Sequence, residues 1–151
     1  MLSTMIGDLF APSPTLVLAP STPVDRAVRL MRRYGFSELP VILAGYLVGV
    51  VSEHDLAAAL LDSRRPGEIA VIELAPEEFY VGRLEQPLAD ALTLLARHRL
   101  QRIAVIGDDD EFLGMLSETA ISKAVERGRL QDQAARALVT GEFREPLRAV
   151  R

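Results

Sequence analysis

The residues of this chain with the most evident chemistry lie in one short motif. It runs from Gly49 through Ser52 to Asp55, and it predicts a strand that ends at Val51, followed by a helix from Ser52. A helix N-terminus presents unpaired N–H groups and a partial positive charge, which suit a phosphate or another anion. Asp55, one turn into the helix, could accept hydrogen bonds from both hydroxyls of a ribose. Gly49 would let a ligand approach the main chain closely.

The same spacing also has a purely structural interpretation. A serine followed three residues later by an acid is close to a capping box, in which the two side chains bond to each other's main-chain N–H groups. Ser52 and Asp55 therefore predict a helix cap as readily as a ligand site. Both interpretations stand at this point.

A second copy of the motif lacks the acid. Gly114 is followed by Ser117-Glu118-Thr119-Ala120, so that an alanine stands where the first copy has Asp55. Conversely, Arg102 precedes an apolar strand at the place where the first copy has Glu38. The two copies therefore offer different groups, the first a carboxylate and the second a guanidinium.

These motifs belong to a longer internal repeat. Ala11-Pro12 recurs as Ala75-Pro76, Pro23 as Pro87, and Gly49 as Gly114. Hydrophobic periodicity predicts the order strand, helix, strand, strand, helix in each copy. The predicted strands are Thr15–Leu18, Leu39–Leu43 and Tyr46–Val51, then Phe79–Val81, Arg102–Ile106 and Phe112–Leu116. The second helix of each copy is predicted at residues 52–61 and 117–127.

Local signals delimit the first helix and the first hairpin. Thr22 is predicted as the N-cap, Pro23 as the first helical residue and Asp25 as the third, because these residue types favour those positions. Gly35 is a predicted stop, and Ala44-Gly45 a hairpin turn. In the second copy Pro87 is predicted to start the equivalent helix.

The repeat also predicts the domain organisation. The first copy spans residues 1–62 and the second residues 69–127, joined by a linker over residues 63–68. A linker this short predicts that the two copies pack as one body. Residues 128–151 are predicted to form a C-terminal helical extension and tail.

Together these motifs resemble the CBS (cystathionine-β-synthase-type) domain pair, or Bateman module. Leu39-Pro40-Val41 is similar to the family's Leu-Pro-Val strand, and residues 49–55 are similar to its glycine–serine–aspartate signature. Residues 5–10 resemble the segment that precedes the first strand. The resemblance implies an α/β fold (α+β in some schemes), with tandem β-α-β-β-α repeats related by pseudo-two-fold symmetry.

The resemblance also implies a function. Relatives are regulatory modules that bind adenosine-containing ligands in clefts between the repeats, and they associate as flat, disc-shaped dimers. We therefore expect a stand-alone homodimeric sensor of AMP, adenosine, ADP, ATP or S-adenosylmethionine that signals by conformational change or partner binding. The alternative is a dimerising scaffold whose clefts are degenerate and empty. Glu53 and Glu118, beside the two serines, favour a ligand of low negative charge.

Particular residues follow from the resemblance. Those assigned to the adenosine ligand are Thr15, Val17, Leu39, Pro40, Val41, Ser52, His54 and Asp55. Thr15–Val17 and Leu39–Val41 would frame the adenine, Ser52 would lie near a phosphate, and Asp55 would bind the ribose. A possible phosphate contact or second cleft is assigned to Val81, Arg102, Ile103, Ser117 and Thr119.

Composition narrows the other classes of function. The 151 residues are 49% hydrophobic and 25% charged, with a net charge of −4 and no cysteine, which is ordinary for a globular protein without disulfides. No basic stripe is visible in the sequence, so nucleic-acid binding has weak electrostatic support. The longest apolar run, residues 39–51, is too short for a membrane span, and no signal peptide is evident, so a cytoplasmic protein is expected.

Other reactive residues carry weaker signals. His54 and His98 are the only histidines, and we expect ordinary surface or packing roles for them. Asp108-Asp109-Asp110 has the wrong spacing for a calcium loop and predicts a solvated hairpin tip rather than a metal site. No catalytic triad, P-loop or zinc-protease motif is present, so the chain is not expected to be an enzyme.

Overall fold

The computed structural model of the chain describes residues 4–12 and 15–126, except for the side chain of Val125. The predicted C-terminal extension, residues 128–151, lies outside the described residues. The helices are α1 (Ile6–Leu9), α2 (Val24–Tyr34), α3 (Glu53–Leu56), α4 (Val71–Leu74), α5 (Leu88–Arg97) and α6 (Glu118–Glu126). The strands are β1 (Glu38–Leu43), β2 (Tyr46–Ser52), β3 (Val81–Arg83), β4 (Arg102–Ile106) and β5 (Phe112–Ser117). Two 3₁₀ helices span Ala57–Leu61 and Pro66–Glu68.

The chain divides into two compact units. The first-repeat unit contains Pro14–Phe79 together with Asp108–Phe112. The second-repeat unit contains, among the described residues, 4–12, Tyr80–Gly107 and 113–126. The segment that opens the chain therefore belongs to the unit built from the second repeat. Each unit has its own hydrophobic cluster, centred on Leu39, Val41 and Val51 in the first and on Ile103, Val105 and Leu116 in the second.

An antiparallel hairpin forms the sheet of the first-repeat unit. β1 pairs with β2 from Glu38↔Ser52 to Leu43↔Tyr46, with an irregularity between Val41 and Ile42. Ala44 and Gly45 connect the strands with φ angles of 52° and 85°. Two successive left-handed residues are typical of a tight hairpin whose twist matches that of the strands, and the predicted turn is confirmed.

Helix α2 covers this hairpin with one apolar face. Val24, Ala27 and Met31 are buried along it, which is the predicted spacing for an amphipathic helix. The helix ends at Gly35, whose φ is 71° and whose N–H donates to the carbonyl of Met31. The predicted stop is therefore confirmed, and glycine suits it because it carries no Cβ penalty in this region.

The predicted start of α2 is wrong by one residue. Pro23 is the N-cap, so that Val24 is the first helical residue and Asp25 the second. Thr22 does not cap the helix, because its carbonyl instead accepts the N–H of Val71 at 2.9 Å. Local propensity favoured a threonine cap, but pairing with a distant segment determines the geometry.

That pairing occurs twice and crosses between the repeats. In the first-repeat unit, the N–H of Val24 donates to the carbonyl of Ile69 at 2.9 Å. In the second-repeat unit, the N–H of Leu88 donates to the carbonyl of Thr4 at 2.8 Å, and Ile6 donates to the carbonyl of Gln86 at 2.9 Å. The segment that opens each repeat thus pairs with the start of the other repeat's long helix.

The sheet of the second-repeat unit has three strands in the order β3-β4-β5. β3 runs parallel to β4, from Val81↔Ala104 to Arg83↔Ile106. The predicted strand Phe79–Val81 therefore begins two residues too early, since β3 spans Val81–Arg83. Arg102–Ile106 and the start of Phe112–Ser117 agree with the predicted strands.

The predicted strand Thr15–Leu18 is mostly wrong. Only Leu18 pairs with β1, donating to the carbonyl of Pro40 at 2.9 Å and accepting from the N–H of Ile42 at 2.8 Å. Pro20, two residues on, has no N–H with which to extend a ladder. Val17 is 42% exposed, and residues 15–17 form no bridge of their own.

The predicted helix over residues 52–61 changes type along its length. Glu53–Leu56 is a single α-helical turn, and Ala57–Leu61 continues it as a 3₁₀ helix. The helix predicted at residues 117–127 is α6, which is α-helical from Glu118 to Glu126. Among the described residues, no helix has both the length and the apolar character needed to cross a bilayer.

A substitution at Gly114 would test how the opening segment packs within the second-repeat unit. Its φ is +149°, and a Cβ there would lie 2.9 Å from Cζ of Phe10. We expect Gly114→Ala to lower the free energy of unfolding by about 1–3 kcal/mol, because the chain must overpack against this ring and adopt an unfavourable φ.

Chemical denaturation of Gly114→Ala, Phe10→Ala and the double variant would measure the coupling. The double variant should be more stable than the sum of the two single losses predicts. Gly35→Ala is the control for strain alone, because nothing lies within 4 Å of a Cβ at that position. Strict additivity at positions 10 and 114 would contradict the contact.

Candidate functional site

The Ser52–Asp55 motif forms a complete capping box at the start of α3. Oγ of Ser52 accepts the N–H of Asp55 at 3.1 Å, and Oδ2 of Asp55 accepts the N–H of Ser52 at 2.8 Å. Both residues are half-buried. The structural interpretation of the motif is thus realised, with two N–H groups satisfied by side chains.

The carboxylate of Asp55 retains capacity for another partner. Within the described residues, only its Oδ2 atom has a hydrogen bond, and it comes from Ser52. A carboxylate accepts about four hydrogen bonds over its two oxygens. Asp55 could therefore accept further donors such as ribose hydroxyls, so the residues present fit a nucleoside.

A second carboxylate lies beside the box on the sheet. Glu38 is the cross-strand partner of Ser52, is 5% exposed, and accepts the hydroxyl of Ser37 at 2.8 Å. The N–H of Glu53 is also occupied, because it donates to the carbonyl of Ser37 at 3.1 Å. The start of α3 is therefore surrounded by acids and has few free N–H groups, an arrangement less suited to a highly charged anion than the sequence suggested.

The fold brings the residues assigned to the adenine into one place. The bridge between Leu18 and Val41 sets the end of the segment Thr15–Val17 beside β1. Thr15 is half-buried and Val17 is exposed. Leu39 and Val41 are 0% exposed and Pro40 is buried, so a ligand here would meet their main chain rather than their side chains. His54 is exposed.

Gly49 has a different role from the one predicted. A Cβ at this position would lie 3.3 Å from Cβ of Ala75 and 3.7 Å from Cδ1 of Ile72. The close approach that glycine permits is therefore to α4 and the residue after it, not to a ligand. Gly114 does the same for Phe10 in the other unit.

The second motif forms only half of a box. Oγ of Ser117 accepts the N–H of Ala120 at 3.0 Å, but Ala120 has no carboxylate to return the bond. Arg102 is half-buried at the start of β4, Ile103 is 1% exposed, Val81 is half-buried and Thr119 is exposed. This unit therefore offers a cation without an acid for a ribose.

Two groups of contacts involve residues outside these motifs. Tyr80 and His98 stack with ring centroids 3.9 Å apart and an interplanar angle of 17°, which is a packing role for His98, as expected. Arg64 bonds to both Asp62 and Glu73 at 3.0 Å. Its guanidinium lowers the pKa of Asp62 to about 2. The pKa of Glu73 is lowered by the N–H of Ala70 and then by Arg64.

Helix α2 carries a charged surface that the sequence analysis missed. Arg26, Arg29, Arg32 and Arg33 are all exposed along it, so the expectation that the chain has no basic stripe is wrong. Their helical spacing was the available signal, but the overall negative charge obscured it. Within residues 4–12 and 15–126, no three His, Cys, Asp or Glu side chains come together as a potential metal site.

Comparison with known proteins now identifies the fold. The sequence model of the CBS domain matches residues 6–62 and, again, residues 79–127. The chain belongs to the CBS domain family. The resemblance of its motifs and the mixed α/β fold of paired repeats are thereby confirmed.

Individual CBS-domain relatives show how far the likeness extends. The crystal structure of CBSX2 in complex with AMP is 30% identical, with a TM-score of 0.70 over 83% of this chain and 98% of that chain. The CBS domain-containing protein YhcV of Bacillus subtilis is 26% identical over 100 residues, 66% of this chain and 71% of YhcV.

A further CBS-domain relative is an enzyme of much greater length. The inosine-5′-monophosphate dehydrogenase of Korarchaeum cryptofilum is 28% identical over 102 residues, 68% of this chain. The chain spans about a fifth of that protein's length, since the match covers 20% of it. The similarity therefore covers a CBS-domain segment of about 102 residues in that enzyme, and not the whole enzyme.

The half-formed box of this CBS-domain protein yields a prediction. Ala120→Asp should supply the missing acceptor for the N–H of Ser117 and raise the free energy of unfolding by about 0.5–1 kcal/mol. Urea denaturation would measure the change. Thr119→Asp is the matched control, because it adds the same charge to the first turn without the box geometry. An equal gain in both variants would attribute the effect to the helix dipole alone.

Proposed function

We propose that this protein is a regulatory CBS-domain pair that binds an adenosine-containing ligand at the Ser52–Asp55 edge of its first-repeat unit. The observation that carries the proposal is the half-buried carboxylate of Asp55, with one oxygen in the cap and capacity left on the other. The AMP complex of CBSX2, at 30% identity, supports the class of ligand. We assign the chain no catalytic step.

In this proposal each site residue has one task. Asp55 accepts the ribose hydroxyls, and Ser52 contacts the ligand from the neighbouring turn. Val17 and the main chain of Leu39–Val41 border the adenine, with Thr15 and His54 at the margins. The exposed side chain of Val17 supports this arrangement, because the side chains of Leu39 and Val41 are buried in the core.

The charges around α3 favour a ligand with little negative charge. Glu38 and Glu53 lie on either side of Ser52, and a triphosphate near them would experience like-charge repulsion. We therefore expect adenosine, AMP or S-adenosylmethionine to bind more tightly than ADP or ATP. The second-repeat residues, Val81, Arg102, Ile103, Ser117 and Thr119, are proposed as a phosphate contact or a weaker second site.

Ligand binding at Asp55 would also provide a signal. α3 is a single α-helical turn, too short to be stable without its cap. A ligand that draws the Asp55 carboxylate away from the N–H of Ser52 weakens the cap and shifts the 3₁₀ segment Ala57–Leu61. That segment ends in two exposed leucines, so binding would change the surface offered to another chain.

The scaffold alternative is favoured by those same leucines. Leu60 is 83% exposed and Leu61 is 92% exposed, an unusual cost for two adjacent large apolar side chains. Burial of both against a second copy would recover several kcal/mol. We therefore propose a homodimer that uses this segment, with or without a ligand.

Asp55→Asn separates the ligand role from the cap. The amide oxygen can still accept the N–H of Ser52, so stability should change little, but the affinity for AMP or adenosine should fall about tenfold or more, because a charged acceptor is lost. Calorimetric titration and ligand-dependent melting would measure both quantities.

Asp8→Asn is the matched control for this experiment. Asp8 makes the same cap bond, accepting the N–H of Met5 at 2.8 Å, but lies in the other unit. Equal loss of affinity in both variants would contradict a role for Asp55. If neither AMP, adenosine, S-adenosylmethionine, ADP nor ATP raises the melting temperature of the wild type, the scaffold is correct and the sensor is not.

A double substitution tests the dimer surface. Leu60→Ser with Leu61→Ser should shift sedimentation from dimer to monomer while leaving the melting temperature of the monomer nearly unchanged, because both side chains are already exposed. Leu43→Ser with Tyr46→Ser is the control, since these residues are 58% and 49% exposed at the hairpin tip. A wild-type monomer, or a dimer that survives the first pair, would contradict the proposed surface.

A further inference from the structure

An arginine face runs along the solvent side of α2. It consists of Arg26, Arg29, Arg32 and Arg33, all exposed. At about 100° per residue these positions fall within one sector of about 120°. Val24, Ala27 and Met31, which are buried, lie on the remaining part of the helix. The chain thus concentrates four positive charges on one surface although its net charge is −4.

The face is barely neutralised from within the protein. Arg29 pairs with Asp25 at 3.4 Å, and the two side chains are 70% and 43% exposed, so this pair is weak. Arg33 lies over the ring of its neighbour Tyr34, 5.5 Å from the centroid. Within the described part of the chain, the guanidinium groups of Arg26, Arg32 and Arg33 have no carboxylate partner.

The internal repeat shows that the fold does not require these charges. α5 occupies the same place in the second repeat, and the positions equivalent to the arginine face carry Asp90, Thr93, Ala96 and Arg97. The two helices share their buried apolar positions but not their outer charges. The fold of α5 therefore needs no more than one cation at these positions. Packing in the core does not explain the arginines of α2.

We propose that the arginine face binds an acidic segment of a partner protein. Guanidinium groups form paired hydrogen bonds with carboxylates, and the face is about 10 Å long from Arg26 to Arg33, at 1.5 Å per residue. That length matches about two turns of an acidic helix. Half-buried Leu30 and exposed Tyr34 border it and supply the apolar edge that protein interfaces favour.

Other anionic partners fit the surface less well. Duplex nucleic acid presents a negative charge about every 1.7 Å along its axis, and the rest of this acidic chain would repel it. A membrane surface requires a broad apolar face for insertion, whereas Leu30 and Tyr34 are two residues. A two-fold contact of α2 with α2 of a second copy would place like charges against each other, so that helix of a second copy is not the occupant.

The test uses the full chain and two synthetic peptides of equal length. One carries four glutamates on one helical face, spaced with leucine and alanine, and the other has glutamine at those four positions. We expect saturable binding of the glutamate peptide, at least about tenfold tighter than that of the glutamine peptide and weakened by added salt. Fluorescence anisotropy would measure both affinities.

Arg26→Gln, Arg29→Gln and Arg33→Gln together should weaken glutamate-peptide binding about tenfold or more. The matched control is Arg65→Gln, Arg97→Gln and Arg99→Gln, which removes the same charge from other exposed positions and should change the affinity less than about threefold. Both variants should keep the wild-type circular dichroism spectrum and melting temperature. The affinity for AMP should be unchanged, which separates this surface from the proposed ligand site.

Four results would overturn the proposal. The first two are equal affinity for the two peptides and equal losses of affinity in the two triple variants. The third is tighter binding to a DNA duplex, or to vesicles of phosphatidylcholine with phosphatidylserine, than to the glutamate peptide. The fourth is a change of oligomeric state when the arginine face is neutralised. The last would assign the face to contact between copies of this chain.

Discussion

The architecture depends on main-chain hydrogen bonds that join each opening segment to the other repeat. Val71 and Thr22 bond on one side of Pro23, and Val24 and Ile69 bond on the other, so that Pro23 faces Ala70 as a pair without hydrogen bonds. A proline lacks the N–H that such a pair does not use. The same arrangement holds Pro87 opposite Met5 in the second-repeat unit. These pairs fix where α2 and α5 begin, and they bring α4 and Phe10 against glycines 49 and 114.

The two caps show where the repeat stops being symmetric. α6 has nine residues and half a box, whereas α3 has four residues and a complete one. A long helix gains propagation from every added residue, but a single turn depends on its terminal bonds. The complete box therefore stands where the helix most requires it. The same carboxylate is then both the stabilising group and the best nucleoside acceptor, so that ligand binding and helix stability are coupled at Asp55.

Local chemistry made much of the fold predictable. The hairpin turn at Ala44-Gly45, the stop at Gly35 and the strand Arg102–Ile106 each depend on a few adjacent residues, and each is confirmed. Gly49 was misinterpreted because the atom that requires its missing side chain belongs to Ala75, far along the sequence. The N-cap of α2 was wrong for the same reason. At the candidate site, residue spacing predicted the Ser52–Asp55 capping box. It did not predict that the side chains of Leu39 and Val41 face the core.

A duplicated unit separates the requirements of the fold from those of function within a single chain. Positions that agree in both copies, such as Pro23 with Pro87 and Gly49 with Gly114, have contacts in the structure that explain them. Positions that differ fall into two kinds, those with a contact in one copy only and those with no buried contact in either copy. Asp55 completes the cap of α3, whereas α6 has Ala120 at the equivalent position and forms without a complete cap. The arginines of α2 differ from the residues at the equivalent outer positions of α5, and they take part in no buried contact. Since the core accepts either residue at those outer positions, packing does not account for the four arginines of α2, whereas the proposed contact with an acidic partner does.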